Sequence, residues 1–118
     1  MSEYKGEEKR KHSRLGANFV ISYRIQALPN GYDLTQTKNV SQGGMMFTTN
    51  KLFEKGVCLA ITIRFPFVPQ KIEVSGIVID SKEKVRDIIY ETRIEFLNID
   101  EQFFIDLGEF IREKLGNA

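Results

Sequence analysis

Two short clusters carry most of the side chains with evident chemistry in this 118-residue chain. Arg10 and Arg14 stand at an Arg-x-x-x-Arg spacing, with Lys9 and Lys11 beside them. A guanidinium is planar, permanently charged and presents its N–H donors as a rigid fork, so it grips flat acceptor edges and stacks on rings as a lysine cannot. The second cluster is Asn39-Val40-Ser41-Gln42-Gly43-Gly44. Asn39 offers two donors and an acceptor, and Ser41 a rotatable hydroxyl. The paired glycines supply freedom at φ > 0 and leave no side chain in a ligand's way. Together they suit hydrogen bonding to a polar, planar partner beside exposed backbone amides. The same residues also make an ordinary turn, since Asn, Ser and Gly are common turn formers.

These groups need a scaffold, and the chain supplies one of modest size. One domain with a single core is expected at this length, and 42% hydrophobic with 28% charged residues describes an ordinary globular protein. The net charge of +1 leaves no global field to favour nucleic acid or an anionic membrane, so any basic site must be local. Such a site exists in the first fourteen residues, where Lys5, Lys9, Arg10, Lys11 and Arg14 outnumber three acids. Cys58 is the only cysteine, which excludes a disulfide within the chain and gives no zinc signature. No apolar run approaches the length of a membrane span, and the polar N-terminus does not resemble a signal peptide. A cytoplasmic protein with no membrane insertion is expected.

Residues 1–15 are charged and aperiodic, which predicts a flexible basic arm. From Ala17 to Gln26 strict alternation sets Phe19, Ile21, Tyr23 and Ile25 on one face of a half-buried strand. Leu28-Pro29-Asn30-Gly31 reads as a turn. Tyr32–Val40 is a more polar strand suited to an edge, and Met45–Thr49 a short return strand after the glycine pair. Val57–Phe65 alternates most clearly, with Cys58 a small filler on its second face. Pro66–Pro69 breaks the pattern. Lys71–Asp80 and Ile88–Leu97 form a strand pair across a charged loop, Ser81–Asp87. Gly76 within the first of them suggests a bulge or a close backbone approach.

Asp100 is placed to cap a helix reaching about Leu115. Phe103, Phe104, Leu107, Phe110, Ile111 and Leu115 share one stripe, read as closing an end of the core rather than as a docking face. Glu101 and Lys114 suit the helix dipole at opposite ends. Six or seven short strands with hairpin connections and one terminal helix predict a mainly β fold, a small antiparallel β-barrel with a C-terminal helix.

Arg-x-x-x-Arg followed by Asn-x-Ser-x-x-Gly, separated by one strand pair, closely resembles the PilZ domain, a family of bacterial receptors for cyclic di-GMP. The resemblance runs from about Lys9 to Leu115. Gly56-Val57-Cys58-Leu59 and Tyr90–Asn98 resemble further family stretches, except that Arg93 stands where many members carry glycine. This departure lies away from the ligand motifs. The resemblance implies a six-stranded barrel over 16–118 and an arm over 1–15 that carries the arginines. It implies that Arg10 and Arg14 bind phosphate and guanine, while Asn39 and Ser41 bond a guanine edge or orient the arginines. Gly43 and Gly44 would open the turn, and Lys9 and Lys11 would add unspecific attraction. His12 and Ser13 fill variable positions without an assigned role. The implied function is a cyclic di-GMP receptor acting on a protein partner, in control of motility, pili or exopolysaccharide, through ordering of its arm. No cofactor or metal is implied.

Other classes fit less well. No nucleophile–base constellation, phosphate-binding glycine loop or catalytic carboxylate pair is present, so an enzyme is not expected. Single-stranded nucleic acid on a small barrel would need aromatics beside a basic groove, and here most aromatics fall on core faces, so no nucleic acid is expected. A degenerate family member serving only as a docking adaptor is opposed by the intact ligand motifs.

Overall fold

The computed structural model describes residues 13–28 and 31–116. Among them, in chain order, lie β1 (Leu15–Gly16), β2 (Val20–Ile25), β3 (Asp33–Val40), β4 (Gly44–Thr49), β5 (Cys58–Ile63), β6 (Ile72–Val85), β7 (Ile89–Leu97) and α1 (Glu101–Gly116). The strands pair antiparallel in the order β3-β2-β5-β6-β7-β4, and a further β3–β4 pairing closes the ring. This is the expected six-stranded barrel with one terminal helix. β1 extends the barrel along the β3 edge, with Leu15 opposite Val40 and Gly16 opposite Asn39.

Alternation decides what faces the interior. Ile21 and Tyr23 of β2, Met45 and Phe47 of β4, and Leu59, Ile61 and Ile63 of β5 are all buried in one core. The residues between them on β2 and β4 are half-buried, as a sheet with one face inward requires. β3 is the polar strand, as its composition suggested. Its first half pairs only with β2, and Leu34 is exposed, while Thr37–Val40 pair with β4, and Asn39 and Val40 with β1 as well.

The helix stops one end of the barrel. Phe103 N donates to Asp100 Oδ2 at 3.2 Å, so Asp100 is the cap. Leu107, Phe110 and Ile111 are buried, and Phe103 and Phe110 reach a ring cluster with Phe65 and Phe67, at centroid separations of 5.6 Å for Phe65–Phe103 and 5.3 Å for Phe67–Phe110. The stripe is core except at two positions: Phe104 is half-buried and lines a cavity, and Leu115 is exposed.

Two expectations are corrected. The charged stretch Ser81–Asp87 is not a loop. β6 runs on to Val85 and pairs with β7 through Val85↔Ile89, turning at Asp87, whose φ is 59°. This ribbon projects past the core, so no buried face imposes the alternation that marks the other strands. The second correction concerns the glycine pair. Among the described residues only Gly31 and Gly56 have positive φ among glycines, so neither Gly43 nor Gly44 is there for left-handed backbone.

Space is what Gly44 provides. A Cβ on it would run into the carbonyl oxygen of Ile94 in β7 and lie 3.1 Å from Glu95 Cα. From the other side, a Cβ on Gly76 would run into the Ile94 side chain, 3.3 Å from its Cβ. Gly76 thus marks the close approach that its place in a strand suggested. β7 is gripped between two glycines, and backbone cannot yield as a side-chain tip can.

Gly44→Ala is therefore expected to lower stability by the upper part of the about 1–3 kcal/mol typical of overpacking. Gly16→Ala, where an added Cβ meets nothing within 4 Å, serves as the comparison. Urea unfolding should show a clearly lower midpoint for Gly44→Ala alone, with the slope unchanged. Matching midpoints for the two variants would show that β4 does not press on β7.

Candidate ligand-binding site

The turn between β3 and β4 is built around the Ser41 hydroxyl. Ser41 Oγ accepts from the amides of Gly43 and Gly44, both at 3.2 Å, while Ser41 N donates to the Gly44 carbonyl at 2.8 Å. A short side chain that bonds its own following amides makes a compact turn without help from outside. The turn is then fastened to β7, where Phe96 N donates to the Gly43 carbonyl at 2.8 Å.

A second fastening was not legible as part of any motif. Gln42 Nε2 donates to the carbonyl of Phe104 in α1 at 2.8 Å, and its amide lies where a Cβ of Gly108 would be. Glycine in a helix interior costs about 1 kcal/mol relative to alanine, so Gly108 in mid-helix was the available signal.

β1 delivers the arginine. Because Gly16 pairs with Asn39 and Leu15 with Val40, the antiparallel register carries Arg14 on toward Ser41. Arg14 Nη1 donates to Asn39 Oδ1 at 3.3 Å, so Asn39 acts here as a holder of the guanidinium. Leu15 packs against the core and anchors the strand below it. The structure thus joins Arg14, Asn39, Ser41, Gly43 and Gly44 at one corner. Arg10, Lys9 and Lys11 lie outside the described residues.

These groups form one wall of a cavity of about 830 Å³, ample for a dinucleotide-sized ligand. The other wall includes Asp80, Arg93 and Glu95 from β6 and β7. Arg93 was read as remote from the ligand motifs, and the barrel's closure corrects this. The registers Asn39↔Met46, Met46↔Arg93 and Asp80↔Arg93 set the four residues in one row across adjacent strands. Distance along the chain says nothing about distance across a closed sheet. Among the described residues no cluster of His, Cys, Asp or Glu could hold a metal, and no helix is long and apolar enough to cross a membrane.

A closed six-stranded barrel with an arginine held over an Asn-x-Ser-x-x-Gly turn defines a class of ligand-binding module. The sequence matches the PilZ domain over residues 8–113, and the chain belongs to the PilZ domain family. No curated protein matches it. Among solved structures it is similar to the inhibitor of motility MotI/DgrA of Bacillus subtilis, at 18% identity and a TM-score of 0.77, over 92% of this chain and 52% of that one. It is similar to the PilZ domain of YcgR from Escherichia coli, solved with c-di-GMP, at 16% identity and a TM-score of 0.67, over 93% of this chain and 99% of that one. A third is MrkH of K. pneumonia in its c-di-GMP complex, at 13% identity and a TM-score of 0.70, over 92% and 53% respectively. The chain spans about half the length of MotI/DgrA and of MrkH. At such identities the likeness speaks for the fold.

The Gln42 tie can be tested through Gly108. Alanine there should gain about 1 kcal/mol of helix propensity, but only if nothing occupies the space. In a Gln42→Ala background, Gly108→Ala is expected to stabilise by about that amount, and with Gln42 present to gain little. Equal gains in the two backgrounds, by thermal or denaturant unfolding, would show that Gln42 does not lie across the helix in solution.

Proposed function

We propose that this protein is a receptor for cyclic di-GMP that passes the signal to a protein partner. The observation that carries the reading is the hydrogen bond that holds Arg14 on Asn39 above the Ser41 turn, at the mouth of the cavity. Cyclic di-GMP offers two phosphodiesters and two guanines, each guanine with O6 and N7 acceptors on one edge. A guanidinium matches both, forking onto phosphate oxygens or pairing bidentately with O6 and N7. In this reading Arg10 and Arg14 grip the ligand, Asn39 orients Arg14 or bonds a guanine, and Ser41 shapes the turn. Gly43 leaves the turn without a side chain, Gly44 lets β4 close against β7, and Lys9 and Lys11 add attraction that salt screens. The protein acts without catalysis of its own.

Output follows from the arm. The stretch before β1 has no apolar periodicity, while the Asn39–Gly44 turn is fastened to β7 and α1. We infer that the ligand orders the residues ahead of Arg14 against this fixed corner, where Arg14 already rests on Asn39, and so makes a new surface for the partner, within motility, pilus or exopolysaccharide machinery. Ordering costs roughly 1–2 kcal/mol per residue, which charge-assisted contacts must offset.

Calorimetric titration with cyclic di-GMP, with GTP and a short single-stranded oligonucleotide in parallel, tests the reading. Binding of the cyclic dinucleotide alone supports a receptor. Binding of the oligonucleotide instead supports a nucleic-acid barrel, and binding of neither supports a docking adaptor. Arg14→Lys and Arg10→Lys should each weaken binding by about 1–3 kcal/mol although charge is kept, and Lys5→Ala should do little. Equal affinities for Arg14→Lys and Lys5→Ala would mean that the arm works by charge alone.

Limited trypsin digestion reads the arm directly. Cutting between Lys9 and Arg14 should be rapid in the free protein and suppressed at saturating ligand. Protection without ligand, or cutting at saturation, would place the switch elsewhere.

A further inference from the structure

We propose that Arg93 is a third ligand-binding guanidinium, gripping the half of the cyclic dinucleotide that Arg14 does not reach. The inference rests on the receptor reading above. It starts from an unsatisfied group. Arg93 Nε is buried and has no hydrogen-bond partner among the described residues, the one side-chain polar atom there in that state. Buried donors in native structures nearly always have a partner, and an exception asks for an explanation. Asp80, its register partner on β6, does not serve: it makes no hydrogen bond to Nε, and its carboxylate lies 3.9 Å from Lys82 Nζ.

Position supplies a role for the rest of the guanidinium, since Nε itself has no accessible surface. Arg93 faces the same cavity as Arg14 and Asn39, in the row Asn39–Met46–Arg93–Asp80. Neighbouring strands lie about 4.7–4.9 Å apart, so Asn39 and Arg93 stand roughly 10 Å from each other across β4. The ligand is a two-fold symmetric ring of two identical halves, each with one phosphate and one guanine. A site whose near wall offers a guanidinium to one half recognises the other best by repeating that chemistry on its far wall. Arg93 is placed to do so.

The local charge makes the same demand. Asp80 and Glu95 line the far wall, and their carboxylates would repel a phosphodiester. Arg93 stands between them along the sheet, opposite Asp80 and two residues before Glu95, and turns an anion-repelling wall into an accepting one. Lys55, also at the cavity, adds charge without a fork.

The test is calorimetric titration of cyclic di-GMP into the wild-type chain, Arg93→Gln and Arg93→Lys, with the melting temperature of each ligand-free protein. Affinity should fall at least tenfold for Arg93→Gln and less for Arg93→Lys. The ligand-free melting temperature of Arg93→Gln should be unchanged or raised, because an unpaired buried donor is removed. Wild-type binding with Arg93→Gln within twofold of it would overturn this role and leave the receptor intact. A tenfold loss accompanied by a lowered ligand-free melting temperature in both variants would make Arg93 a structural residue and equally overturn it. A wild-type chain that does not bind would overturn the receptor reading, and this inference with it.

Discussion

The contact on which the rest depends is the grip of two glycines on β7. Gly44 brings the backbone of β4 against the carbonyl of Ile94, and Gly76 brings β6 against its side chain. Interiors are packed at near-crystalline density, so an extra carbon on either side must displace backbone or a fully buried isoleucine. The β4–β7 pairing also stands at the closure, since β4 joins β7 to β3 and completes the ring. Without that approach β4 would stand off from β7, and the row from Asn39 to Asp80 would lose its middle. Gly44 therefore acts on any ligand through the barrel's shape, one step removed from contact.

The turn that follows from this closure is unusually well tied for a surface connection. Its inner hydrogen bonds run through Ser41, one outer bond through the Gly43 carbonyl to β7, and another through Gln42 to α1. Loops carry function when a rigid scaffold positions them, and here the scaffold holds the loop from two sides. The Gln42 bond has a further consequence. It takes a helix carbonyl as its acceptor, so a shift of the turn is felt along α1 and not only at the barrel rim.

The barrel and helix were legible because the inner strands obey period two and the helix period 3.6 over long enough runs. β2, β4 and β5 each place buried residues at alternate positions, and α1 places Leu107, Phe110 and Ile111 on one stripe. The extension of β6 to Val85 was not legible, because a ribbon with solvent on both faces has no buried side to write a pattern. The near wall of the site was readable from local spacing, with Arg14, Asn39 and Ser41 within reach of a motif. The far wall was not. Arg93 and Asp80 reach the site through strand pairing, and Gln42, inside the turn, reaches α1 through helix packing; no local spacing encodes either.

If the receptor reading proposed above holds, charge counting around the cavity points to how such a site discriminates. Arg14, Lys55 and Arg93 oppose Asp80 and Glu95, so the lining is nearly balanced. A dianionic ligand gains little there from net field, and at physiological salt a Debye length of about 8 Å screens much of what it gains. Selectivity must then come from geometry, from flat donor forks facing flat acceptor edges at a fixed separation. Mononucleotides share the charge of a cyclic dinucleotide but cannot span both walls at once. A nearly neutral lining thus favours the ligand that fits over anions that merely attract.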